Sequence, residues 1–266
     1  MGTRVEVRVS GGIAYATLSR PEKLNALDFE MFENLVIAAA EIRRNRDVRA
    51  VILRGEGDAF SSGLDFASVG KQPMRAARSF LRPPWRATNL YQRACWAWRE
   101  LPVPVIAVVH GRCYGGGLQL ALAADFRYTT TDCEFSVMEA KWGLVPDMTG
   151  TVTLRELVGL DVAKRLTMTA EIVDGAHAKD LGLVTDAVAD PLAEAEKLAA
   201  EIATRSPDSV AATKALFHGT WHRSPRAAFR IESRLQRRLL LGPNHKIARK
   251  AGMAQRIPEF VRRRIR

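Results

Sequence analysis

Two carboxylates and one glutamine hold the clearest capacity for chemistry in this chain. Glu139 and Asp147 stand eight positions apart in a segment that is otherwise mostly apolar. Gln119 comes two positions after Gly115, Gly116 and Gly117. Two carboxylates whose pKa values are pushed apart can act as acid and base together. A glutamine can hold a water but cannot exchange a proton with it. The glycines let a ligand approach the backbone closely. The first turn of a helix that follows them offers unpaired N–H groups to an oxygen that becomes anionic during reaction. An oxyanion site followed by two acid/base groups outlines a reaction centre. Taken alone, the three glycines suit a tight turn with close helix–strand packing equally well.

These residues need elements to position them. The apolar run 105–109 reads as a buried strand, the glycines as a turn, and 118–124 as a helix. A second strand and glycine-bearing turn, 48–53 and then Phe60-Ser61-Ser62-Gly63-Leu64-Asp65-Phe66, repeats the plan, which suggests a repeated ββα unit. Upstream, Val5, Val7 and Val9 alternate with polar residues, and Gly11-Gly12 turns the chain into a hairpin. Asp28 is the expected N-cap of a helix presenting Phe29, Phe32, Val36, Ala39 and Ala40 on one face. Asp161 is expected to cap a later helix ending at Thr169. Residues 70–100 concentrate aromatics between prolines and could wall an apolar pocket, with Trp96 and Trp98 in ordinary helix packing.

The 266 residues suit one large domain with an appendage. No apolar run approaches the ~20 residues of a membrane span. Residues 1–6 lack a signal-peptide stretch, and the three cysteines have no metal spacing, so a reducing, cytoplasmic setting is expected. The net charge of +11 is uneven: residues 205–266 hold 16 Lys+Arg and 3 Asp+Glu, leaving 24 basic and 26 acidic residues elsewhere. The expected organisation is a core over 1–205 and a basic helical region over 206–266.

Arg20-Pro21-Glu22-Lys23-Leu24-Asn25-Ala26-Leu27, Phe60-Ser61-Ser62-Gly63-Leu64-Asp65 and Gly115-Gly116-Gly117 through Asp125 resemble the crotonase (enoyl-CoA hydratase/isomerase) superfamily. The resemblance covers nearly the whole chain in order and spacing. It implies an α/β fold, a spiral of ββα units with a helical C-terminal region that builds trimers or hexamers. It also implies an acyl-CoA thioester substrate, with coenzyme A entering as part of that substrate and no separate cofactor or metal. Carried across, the oxyanion donors are the N–H groups of Leu64 and Gly116. The CoA contacts fall around Lys23, Leu24, Ser62, Leu64 and Phe66.

Hydratases of this family use two glutamates. One matches Glu139, and the other position holds Gln119, so the pair is incomplete. Dienoyl-CoA isomerases of the family resemble this chain at Asp147. The implied reaction is therefore a double-bond shift using Glu139 and Asp147, with hydration of 2-enoyl-CoA as the alternative. For Asp147 a helix cap remains open, and for Glu139 a buried ion pair with an arginine such as Arg112. A reading of another class, nucleic-acid binding through the basic region, has few aromatics for stacking to support it.

Overall fold

A computed structural model describes residues 3–265, so Met1, Gly2 and Arg266, at the ends of the two expected regions, lie outside it. The chain opens with the expected hairpin, β1 (Val5–Ser10) and β2 (Ile13–Leu18), paired antiparallel. Helix α1 (Phe29–Arg44) starts where Asp28 accepts a hydrogen bond from Met31 N at 2.8 Å. It buries Phe29, Phe32, Leu35, Ala38, Ala39 and Ile42 in the main core, while Val36 and Ala40 of the expected face are only half-buried. Strand β3 (Ala50–Gly55) pairs parallel with β2. Residues 66–99 form α2 (Phe66–Gly70), α3 (Pro73–Ser79) and α4 (Leu90–Arg99). Trp98 of α4 is fully buried, as ordinary helix packing requires.

The central unit is β4 (Val105–Val109), β5 (Arg112–Tyr114) and α5 (Gly116–Leu122). Strands β6 (Phe126–Thr129) and β7 (Glu134–Ser136) follow. Helices α6 (Gly150–Leu157), α7 (Leu160–Thr169) and α8 (Gly175–Asp180) lead to β8 (Asp186–Ala187) and α9 (Pro191–Ala203). The main sheet has the order β1-β2-β3-β4-β6-β8, and β5 pairs with β7 in a small second sheet. Strand β4 and the Ala50–Leu53 part of β3 are continuously apolar because both faces are covered. Val51, Leu53, Val105, Ala107 and Val109 join the main core, while Ile52, Ile106 and Val108 meet Ala195 and Ala199 of α9.

The basic region is helical: α10 (Pro207–Thr220), α11 (Pro225–Leu240) and α12 (Pro243–Met253). It docks on the core through Lys214, whose ammonium donates to Asp125 Oδ2 at 2.6 Å and to Val103 O at 3.0 Å. The final residues are pinned by Asp208, which accepts from Arg264 N and Ile265 N. One cap expectation fails. Asp161 lies inside the first turn of α7, and Gly159 is the cap residue, because the helix begins at Leu160. There the carboxylate faces the helix dipole without capping an N–H.

Candidate active site

The two glycine turns are bound edge to edge. Ser61 N donates to Arg112 O, and Tyr114 N donates to Ser61 O. The approach demands glycine. Gly63 has φ +88°, and a Cβ there would stand 2.8 Å from Tyr114 O. A Cβ on Gly117 would stand 2.6 Å from Ser61 Cβ. The same hypothetical atom at Gly63 lies 3.7 Å from Gly116 N, so the backbones carrying Leu64 and Gly116 are neighbours. Neither Leu64 N–H nor Gly116 N–H meets an acceptor among the described residues. Two free donors on adjoining backbones suit an oxygen that gains charge.

Glu139 lies in a 3-10 turn, Met138–Trp142, and is 9% exposed. Its Oε1 accepts a hydrogen bond from Gln119 Nε2 at 2.5 Å. Its Oε2 is buried without a partner. A Cβ on Gly115 would lie 3.7 Å from Glu139 Oε1, which puts the carboxylate beside the Gly116 donor. Burial raises the Glu139 pKa; its own backbone N–H and Gln119 oppose the rise, and the charge of Asp147 adds to it. Arg112 pairs with Glu134 at 3.7 Å, so the ion-pair alternative for Glu139 is not realised.

Gln119 is engaged at both ends. Its Oε1 accepts from Met148 N at 2.8 Å and Gly150 N at 2.9 Å, while Nε2 reaches Glu139. One amide thus ties the Glu139 side chain to the start of α6. With its carbonyl occupied, Gln119 is a brace between the two carboxylate segments, and the water-holding role keeps only one remaining N–H. Between the two anchored N–H groups, Thr149 takes φ 79°. That conformation costs a β-branched residue ~1–2 kcal/mol.

Asp147 does not cap α6. The N-cap residue is Thr149, without a side-chain cap bond, and Gln119 serves the N–H groups instead. Asp147 is exposed. Partial burial still raises its carboxyl pKa. The exposure limits that rise, since water reaches the residue. Opposite, α4 contributes Tyr91, one of the aromatics expected to wall a pocket, and Cys95, to which sequence reasoning gave no role at the site. Burial pushes the Cys95 thiol up, and the charges of Asp147 and Glu139 push it further. Tyr91 and Cys95 are four apart on the buried face of α4, a helical spacing that was available in the sequence.

Lys23, Leu24, Ser62, Leu64 and Phe66 are brought to one rim. Ser62 N donates to Leu24 O, and Leu27 N to Gly63 O. Phe66 packs against Trp142 with ring centroids 4.7 Å apart and the ring planes tilted by 41°, and both residues are exposed. A cavity of about 1190 Å³ lies elsewhere, among α9 to α12, and includes none of these residues. No cluster of three or more metal-ligating side chains occurs among the described residues.

Comparison with known proteins gives the family. The chain is 33% identical over 210 residues to the mitochondrial Delta(3,5)-Delta(2,4)-dienoyl-CoA isomerase of Mus musculus, covering 76% of this chain and 64% of that protein's length. It is 34% identical to the (E)-benzylidenesuccinyl-CoA hydratase of Thauera aromatica, covering 79% of this chain and 80% of that one. The crystal structure of an enoyl-CoA hydratase from Polaromonas sp. JS666 superposes with a TM-score of 0.86 at 27% identity, covering 97% of this chain and 99% of that one. The profile of the enoyl-CoA hydratase/isomerase family matches residues 8–260. With the ββα fold and the paired glycine turns in place, the chain belongs to the enoyl-CoA hydratase/isomerase family, the crotonase superfamily.

Proposed function

We propose that the protein shifts the double bonds of an enoyl- or dienoyl-CoA, with Glu139 and Asp147 as its acid/base pair. The thioester oxygen accepts hydrogen bonds from Leu64 N–H and Gly116 N–H as the enolate forms. Each such donor is worth ~3–4 kcal/mol in the transition state. For a 3,5-dienoyl-CoA, Glu139 Oε2 takes a proton from C2. The electron pair moves through the diene, and Asp147 delivers a proton to C6, leaving the 2,4-diene. Burial and the neighbouring Asp147 charge favour the protonated form that Glu139 must then take up. To reset the site, Asp147 regains a proton from water and Glu139 gives up the one it took from C2, so each carboxyl returns to its starting state.

The observation that carries this reading is the occupancy of Gln119. Its carbonyl is held by Met148 N and Gly150 N, so the second proton carrier is assigned to Asp147, the carboxylate whose charge acts on Glu139. Hydration of 2-enoyl-CoA is the second reading, favoured by the likeness to the Thauera hydratase. A panel of 2-enoyl-, 3-enoyl- and 3,5-dienoyl-CoA, followed by absorbance and product identification, decides between them. Faster hydration of 2-enoyl-CoA than conversion of the 3,5-diene overturns the isomerase reading.

A further inference from the structure

We infer that Arg20 is a positioning residue, coupling the loop that faces coenzyme A to the oxyanion donor Leu64. The inference rests on the acyl-CoA reading above. Arg20 is 6% exposed and joins two backbone segments that lie far apart in sequence. Its Nη1 donates to Ala26 O at 3.0 Å, within the 20–27 loop. Its Nη2 meets Asp65 Oδ2 at 2.8 Å, one residue beyond Leu64. Asp65 in turn accepts from Ser68 N at 2.9 Å and Ser68 Oγ at 2.7 Å, so the carboxylate is fixed at the start of α2. Asp65 N donates to Leu27 O, closing the ring.

The loop is held in a conformation that it would not adopt alone. Leu24 and Asn25 both have left-handed backbones, φ 48° and 53°. Asn25 Nδ2 donates to Glu56 O and Ala59 O, and Asn25 Oδ1 accepts from Arg20 N. Strained residues persist only where their surroundings over-determine them. A guanidinium is suited to this place because its planar fork serves two acceptors at fixed angles, which an ammonium cannot do. When the distal part of the substrate engages Lys23 and Leu24, the Arg20 fork transmits that restraint to Asp65 and the adjoining Leu64 N–H. Binding energy from the nucleotide end is thereby realised at the thioester.

The test compares one acyl group on full coenzyme A and on N-acetylcysteamine, a truncated thiol without the nucleotide. Wild type, Arg20→Lys and Asp65→Asn are assayed at a temperature where circular dichroism shows each folded. Wild type is expected to show kcat at least about tenfold higher on the CoA thioester than on the truncated one. Both variants are expected to lower kcat on the CoA thioester by about tenfold and bring the ratio to within about twofold of unity. A preserved ratio, whether kcat is unchanged or falls equally on both substrates, overturns the coupling. Wild type inactive on both thioesters and unable to bind CoA refutes the acyl-CoA reading, and the coupling with it. An active wild type with a preserved ratio refutes the coupling alone. Arg20→Lys tests the fork with the charge kept; if it fails to fold, the near-isosteric Asp65→Asn still decides.

Discussion

Gln119→Glu changes one atom's chemistry at the centre of the site. The amide Nε2–H that points at Glu139 Oε1 becomes a carboxylate oxygen, with a contact of 2.5 Å in the native protein. Two unit charges at that separation repel by about 6–7 kcal/mol at an effective dielectric of 20. That is several times the ~1.4 kcal/mol that shifts an ionisation tenfold, so the pair holds a proton at about pH 7. The structure says where it goes. The new side chain keeps its other oxygen on Met148 N and Gly150 N, at 2.8 and 2.9 Å in the native amide. Two N–H donors at a helix start favour its ionised form. Glu139 therefore takes the proton and loses its role as base. Conversion of 3,5-dienoyl-CoA should fall by about 10² at about pH 7 and recover as pH rises. Hydration of 2-enoyl-CoA should increase, because the pair now contains an acid and a base. Initial rates on both substrates across pH, with the folded state checked by circular dichroism, give the answer. A dienoyl rate and pH profile unchanged from wild type would refute this placement of the proton.

Other perturbations test separate parts of the account. Glu139→Gln should abolish turnover yet stabilise the fold at alkaline pH by about 1 kcal/mol, or roughly 2–4 °C in Tm. Glu139's raised pKa favours its protonated form in the fold. Wild-type stability is therefore lost as pH rises from the unfolded value through the folded one, and the gap between the two proteins should close on acidification. Thr149→Gly should raise stability by about 1 kcal/mol by relieving the φ of 79° at that position; calorimetry showing a loss would mean that the hydroxyl matters more than the strain. Helix α11 has no buried residue and exposes Phe229 and Leu240. Light scattering should show a trimer or a multiple of it, and a monomer at micromolar concentration would contradict a covered interface.

Much of the fold was legible because its signals are local. The hairpin, the Asp28 cap and the two strand–glycine turns each rest on neighbours within a few positions. The continuous apolar run of β4 announced a buried strand. Strand β5 has only three residues, too few for a period, and exists because β7 and Ser61 pair with it. The Asp161 expectation failed because composition marks a first turn more readily than the residue before it. At the site, residue types were readable and connections were not. Gln119 meets Met148 and Gly150 across 29 and 31 positions, and no local pattern encodes that distance. Arg20 appeared in the motif, but its bond to Asp65 emerges only once the loops are zipped together.

The proposed double-bond shift depends most directly on Asp147 as the second proton carrier. The decisive measurement is kcat on 3,5-dienoyl-CoA for Asp147→Asn beside wild type. Asp147 makes no capping bond to α6, so the substitution should leave Tm nearly unchanged. The account predicts a fall in kcat of about 10² or more, with 2,4-dienoyl-CoA as the wild-type product. A kcat within about twofold of wild type would contradict it, because a proton carrier of the kind proposed contributes far more than that.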